Sequence, residues 1–128
     1  WVFIVRRVFD RNLSGSKRNE FRFDPIPKSK VQEVFSHSFA ILDIEHPKQT
    51  GLTMRTFEAI GARKKLITTN QDVINYDFYH PNNILICQRN KALQIPAGFF
   101  DKPYQELDKA LRYKYSVAGW IDEVLGAQ

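Results

Sequence analysis

Cysteine is almost absent from this chain of 128 residues: Cys87 stands alone, which excludes an internal disulfide framework and any thiolate-rich metal site. It lies in the apolar run Ile84 to Cys87, so a buried thiol is expected there and not a nucleophile. No apolar run approaches the roughly 20 residues that span a bilayer, and the first residues do not resemble a secretory signal. The chain has no phosphate-binding loop of the Gly-Lys-Ser/Thr kind, no dinucleotide glycine fingerprint and no His/Cys/Asp group at metal spacing. Neither a metal nor a bound cofactor is therefore expected. Acidic residues are also short, 14 against 19 basic ones, and the deficit is uneven: residues 1 to 64 hold 12 Lys and Arg against 7 Asp and Glu, while residues 65 to 128 hold 7 of each. The basic residues are scattered and not interleaved with aromatics on one face, which argues against nucleic acid as a partner.

What remains is an ordinary globular composition, 43% hydrophobic and 26% charged, long enough for one domain over residues 1 to 128. The chain begins at Trp1, inside an apolar run and without an initiator Met, which reads as an excised domain whose other part lies upstream.

Four runs are β-prone: residues 2 to 9, 39 to 44, 65 to 69 and 84 to 87. Phe39 to Ile44 is nearly all apolar, as in a strand buried on both faces of a parallel sheet. Between it and Lys65 to Thr69, the residues Met54, Phe57 and Ile60, with Ala59, form one apolar helical face, which predicts a helix near 52 to 61 and hence a βαβ unit. A second helix is expected near 29 to 37, opened by a Ser29 and Gln32 capping box and buried through Val31, Val34 and Phe35. A third is expected near 114 to 125, where Val117, Trp120, Ile121, Val124 and Leu125 recur at helical spacing, Asp122 and Glu123 face water, and Gly126 stops the helix. Trp120 and Val124 should be buried against this domain or the one upstream. Tyr104, Leu107 and Leu111 suggest a short helix before it, and Phe99-Phe100 an added edge of the sheet. The whole reads as an α/β domain with a Rossmann-like, open, mainly parallel sheet and helices on both faces.

In such a sheet, ligands bind beyond the carboxyl ends of the strands. Gln49, Thr50, Gly51, Leu52 and Thr53 fall there. Thr50 is expected to cap the helix, Gly51 to let the backbone approach a ligand, and the first-turn amides to attract an anion. Arg55 suits a phosphate and Glu58 suits paired hydroxyls such as those of a ribose. The same two residues read equally as a surface ion pair worth a few tenths of a kcal/mol. His37 reads as a helix cap. His46, at the carboxyl edge before Pro47, is a weaker candidate for a base, and Tyr76 and Tyr79 read as anchors of a long loop.

The residues Leu42-Asp43-Ile44, Gln49 through Glu58, Lys64 through Asn70 and Tyr76-Asp77-Phe78-Tyr79 also carry a resemblance. The stretch from about Pro25 onward resembles the C-terminal, donor-binding half of a GT-B-fold glycosyltransferase, and is similar to bacterial proteins of lipopolysaccharide and capsular polysaccharide synthesis. The resemblance implies a nucleotide-sugar donor and a metal-independent transfer. It also implies a glycan or lipid-linked acceptor held by an N-terminal domain absent from this chain. Glu58 takes the place of the glutamate that holds the ribose, while Thr50 stands eight residues earlier where many retaining members carry a first glutamate. An arginine of the early part is implied at the diphosphate. A cytoplasmic location at the inner face of the membrane, with peripheral association of the intact enzyme, follows from the same resemblance. Two readings compete with it: a non-catalytic Rossmann-like interaction module, and a basic nucleic-acid-binding domain.

Overall fold

The computed structural model describes residues 17–20 and 24–126. The strand expected over residues 2 to 9, with its arginines, lies outside them. Residues 1–31 and 32–128 form two compact units. In the first, a 3-10 turn (Arg18–Glu20) is closed by the Lys17 amide on the Glu20 carboxylate at 3.1 Å.

Helix α1 (Lys28–His37) opens earlier than the expected capping box, because the Pro27 carbonyl already accepts from the amides of Lys30 and Val31 at 3.0 and 3.1 Å. Ser29 therefore lies inside the first turn. Of the expected stripe, Val31 and Phe35 are half-buried and Val34 is exposed. The helix ends on side-chain bonds: Ser36 donates to the Glu33 carbonyl, Ser38 to that of Val34, and His37 Nδ1 lies 2.8 Å from the Glu33 carbonyl.

Strands β1 (Ala40–Asp43), β2 (Lys65–Thr68) and β3 (Ile84–Ile86) form a wholly parallel sheet in the order β1-β2-β3, with Ile41, Leu66 and Ile84 in register. Helix α2 (Met54–Gly61) carries the crossover from β1 to β2. The βαβ unit read from the periodicities is present.

Residues in register share a face of a parallel sheet. On the Ile41 face, Ile41, Leu66 and Ile84 pack with Ala59 and Ile60 of α2, with Val73 from the 3-10 helix Gln71–Asn75, and with Phe78. Phe35 of α1 and Leu111 of α3 (Lys109–Lys114) pack against the same cluster. On the other face, the described residues supply a turn where a helical layer is expected. There the Phe99 turn covers Lys65, whose amine donates to the Phe99 carbonyl and stands 4.6 Å over its ring, while Leu42 and Ile44 stay exposed. Burial pushes the Lys65 amine down, helped by the nearby Lys102 charge and opposed by Asp101. Phe99 and Phe100 form a turn and not an edge strand.

The terminal segment breaks into two helices. Asp108 caps α3 by accepting from the Leu111 amide, and Ser116 caps α4 (Val117–Leu125) by accepting from the Gly119 amide. Gly126, at φ 64°, ends α4 in the left-handed region that glycine tolerates. The expected burial of Trp120 and Val124 against this domain is not found: both are 60% exposed. Glu123 is exposed as expected, and Asp122 is half-buried, accepting from the Tyr113 hydroxyl at the surface.

Candidate functional site at the carboxyl edge of the sheet

The loop after β1 and the loop after β2 meet beyond the carboxyl ends of their strands. Asp43 ends β1 on the same face as Ile41, so its carboxylate is carried toward the core side and needs donors. Two threonines supply them. Thr53 Oγ1 donates to Asp43 Oδ2 at 2.7 Å, and the hydroxyl of the fully buried Thr56 stands 3.4 Å from the same oxygen. Thr53 also caps α2, its oxygen accepting from the Thr56 amide. The cap is thus Thr53 and not Thr50, and the helix opens at Met54 and not Leu52. Thr50 is exposed. The reason is the Asp43 carboxylate, which fixes the Thr53 hydroxyl where the helix begins and places a negative charge by its positive end.

Gly51 adopts φ +76°, a conformation that a side chain would strain, and its carbonyl accepts from Asn70 Nδ2 at 2.9 Å. Asn70, 3% exposed, also receives the Asp72 amide on its Oδ1. The Thr69 amide donates to the Asp43 carbonyl at 3.2 Å, and the Glu45 amide to Thr69 Oγ1 at 3.3 Å. These bonds tie the two loops into one edge, so Gly51 is held by Asn70, 19 positions away, and Thr53 by Asp43, 10 positions away. Leu52 is half-buried against the core cluster, and Gln49 is exposed, its amide in a turn on the His46 carbonyl.

Arg55 and Glu58 pair with each other at 2.8 Å on a partly exposed face of α2, with Arg55 also 5.1 Å over the Phe35 ring. Both stay within reach of solvent, so a ligand could recruit them by displacing one exposed ion pair. The buried stripe of α2 is Thr56, Ala59 and Ile60, whereas Met54, expected on the apolar face, is 70% exposed. Phe57 instead stacks on Tyr115 at 6.1 Å.

The remaining candidates stand apart from this edge or serve local structure. His46 Nδ1 accepts from the Lys48 amide. Tyr76 and Phe78 join Tyr115 in an aromatic cluster, with Phe78 4.7 Å from Tyr115, which anchors the long loop as its aromatics suggested. Cys87 is half-buried and free. Among the described residues, no group of three or more His, Cys, Asp or Glu is placed to hold a metal, and no helix is long and apolar enough to cross a membrane.

The hubs that sequence reasoning did not assign to the site are Asp43, Thr56 and Asn70. A signal existed: a lone carboxylate two positions after Ile41 in an apolar strand must find donors, and Thr53 and Thr56 are three apart on the helix that follows. Comparison of the chain with family models, curated proteins and solved structures found no match.

Proposed function

We propose that this chain is the donor-binding half of a metal-independent, nucleotide-sugar-dependent glycosyltransferase of bacterial surface polysaccharide synthesis, with the Rossmann-like architecture of a GT-B C-terminal domain. The observation that carries the reading is the parallel βαβ unit whose Gly51 to Thr53 loop and α2 N-terminus lie together at the carboxyl edge. In this reading the diphosphate lies against the open first turn of α2 and draws Arg55 from its pairing with Glu58, which turns to the ribose hydroxyls. Asp43 and Asn70 hold the loop in shape for that approach. The reaction breaks the sugar to diphosphate bond and passes the sugar to an acceptor hydroxyl, with this domain orienting the donor and stabilising the leaving group. The acceptor belongs to a facing domain, so this chain alone binds and does not turn over. The work of the intact enzyme is placed in the cytoplasm at the inner face of the membrane.

One observation favours a second reading. Asp43 already supplies an anion beside the helix N-terminus, and Arg55 and Glu58 already satisfy each other. A non-catalytic interaction module that kept the fold and lost the donor site would look like this.

Titration calorimetry with nucleoside diphosphates, and separately with a short DNA duplex, tests these readings. Binding of the diphosphate alone supports the donor domain, binding of neither supports the module, and binding of the duplex alone supports a basic nucleic-acid-binding domain. Glu58→Ala should cost about 1 to 3 kcal/mol of donor binding if the ribose bonds are buried. Arg55→Ala should weaken the diphosphate more than the free nucleoside, because only the former carries the charge it would contact.

A further inference from the structure

β3 is an outer strand of the described sheet. The Leu66 amide donates to the Asn83 carbonyl and the Cys87 amide to the Thr68 carbonyl, both at 2.8 Å, so Asn83, Leu85 and Cys87 turn their backbone groups toward β2. Ile84 and Ile86 therefore turn theirs outward. The Ile84 amide is taken by the His80 carbonyl at 2.9 Å, so among the described residues the Ile86 amide and the carbonyls of both isoleucines stay outside the β2 ladder, and both isoleucines line a groove of about 370 Å³. Its other wall is the turn from Pro96 to Phe99, with Lys102 at the rim and Tyr79 and Pro81 at one end.

Strand edges are guarded by shortness, a charge, a proline or a bulge; β3 is kept short, three residues, and its Ile-Leu-Ile carries no charge, proline or bulge. An extended segment added alongside would satisfy the outward backbone groups and set alternate side chains into the apolar groove. The charges nearby choose its chemistry. Lys102 is the ionic group of the lining, the Lys65 amine lies behind Phe99, and Arg89 and Lys91 follow β3, against the single acid Asp101 in the same turn. A second copy of the chain would bring the same cations to the same edge and be repelled.

We propose that this groove binds an extended peptide segment of alternating apolar and acidic residues, which joins the sheet as a strand beside β3 with a carboxylate facing Lys102. The proposal is independent of the donor site, which lies at the β1 and β2 ends of the sheet. The test is amide NMR of the full chain titrated with the peptide acetyl-Thr-Val-Glu-Val-Thr-amide, and with its analogue carrying Lys for Glu. Shifts should gather at Ile86 and from Gly98 to Lys102, the Lys peptide should bind at least fivefold more weakly, and Lys102→Glu should reverse that order. Ile86→Pro removes the outward amide without touching the β2 ladder, and should abolish binding. If that variant does not fold, the acidic peptide N-methylated at its central residue serves in its place and should not bind. Equal binding of both peptides, shifts centred elsewhere, no binding, or a dimer that Ile86→Pro dissociates would each overturn the proposal.

Discussion

Helices α2 and α4 are nearly twins by pattern: eight and nine residues, each amphipathic, each capped by a hydroxyl side chain. Their fates differ. α2 inserts Ala59 and Ile60 into the core at 0% and 8% exposure, whereas α4 leaves Val117, Trp120, Ile121, Val124 and Leu125 between 41% and 75% exposed. The difference lies in what surrounds them. α2 is held between two paired strands and pinned at its start by Asp43. α4 meets its own domain mainly through α3 and the Ser116 turn. Periodicity reports a helix's capacity for burial and says nothing about which surface fills it.

Cutting one aliphatic side chain from each helix separates the two most strongly. Ile60→Ala should cost about 2 to 4 kcal/mol in urea unfolding, since it opens a cavity in the buried core cluster. Val124→Ala should stay within about 0.5 kcal/mol, as at an ordinary surface position. Equal losses would mean that α4 is covered in solution. The starts of the helices differ in the same sense. Asp43→Ala leaves Thr53 and Thr56 without their shared acceptor and should cost about 2 kcal/mol. A loss near zero would show that the edge is not held by this carboxylate.

How much of this was legible follows the same divide. The parallel pairing of 40–43 with 65–68 could be read because two apolar runs separated by one amphipathic helix allow few other arrangements, and the apolar run at 84–86 extends the same sheet after a 3-10 turn and a loop. The position of Gly51 at the carboxyl edge followed from it. The α2 cap could not be read as well, because Thr50 and Thr53 are equally good caps by residue type and the choice is made by Asp43, ten residues earlier. The stripe of α2 was read correctly at Ala59 and Ile60 and missed in the first turn for a related reason: hydrophobicity favours Met54 over Thr56, but a threonine hydroxyl facing a buried carboxylate belongs inside. The Asn70 to Gly51 bond spans 19 residues and leaves no local pattern at all.

The glycines sharpen the contrast with opposite signs. A Cβ on Gly119 would overlap the Tyr113 carbonyl, where α4 closes on the end of α3, so Gly119→Ala should destabilise by about 1 to 2 kcal/mol. A Cβ on Gly61, in the last turn of α2, meets nothing within 4 Å, and Gly61→Ala should stabilise by about 0.5 kcal/mol through a stiffer unfolded chain and better helix propensity. Circular dichroism melts of the two variants read both signs. A neutral Gly119→Ala would mean that α4 does not close on the Tyr113 carbonyl in solution.

The smallest effect concerns how α4 is tethered. At its root, Asp77 accepts from Lys114 Nζ and from the Tyr115 hydroxyl, both at 2.6 Å, in an exposed network. The Lys114 hydrogen bond, then that of Tyr115, holds the Asp77 carboxyl below its usual 3.8. A depressed carboxylate contributes stability above its unfolded value and loses it as the pH falls through the lower folded value. At the other end, the bond to Asp77 raises Lys114 above 10.5, while burial first and Asp77 second raise Tyr115 above 10.0. Their contributions are present below those values and fade as the pH rises through the folded ones. The tether should therefore be at full strength from about pH 5 to about pH 9 and weaken on both sides, by a small amount because water and salt screen it. Amide exchange provides the readout. Acidifying below about pH 4 should speed opening of α4 relative to α2 once intrinsic rates are divided out, Asp77→Asn should give that faster opening already at neutral pH, and α2 should respond to neither change. If α4 and α2 open together under both treatments, the Asp77 network is not what holds the terminal helix.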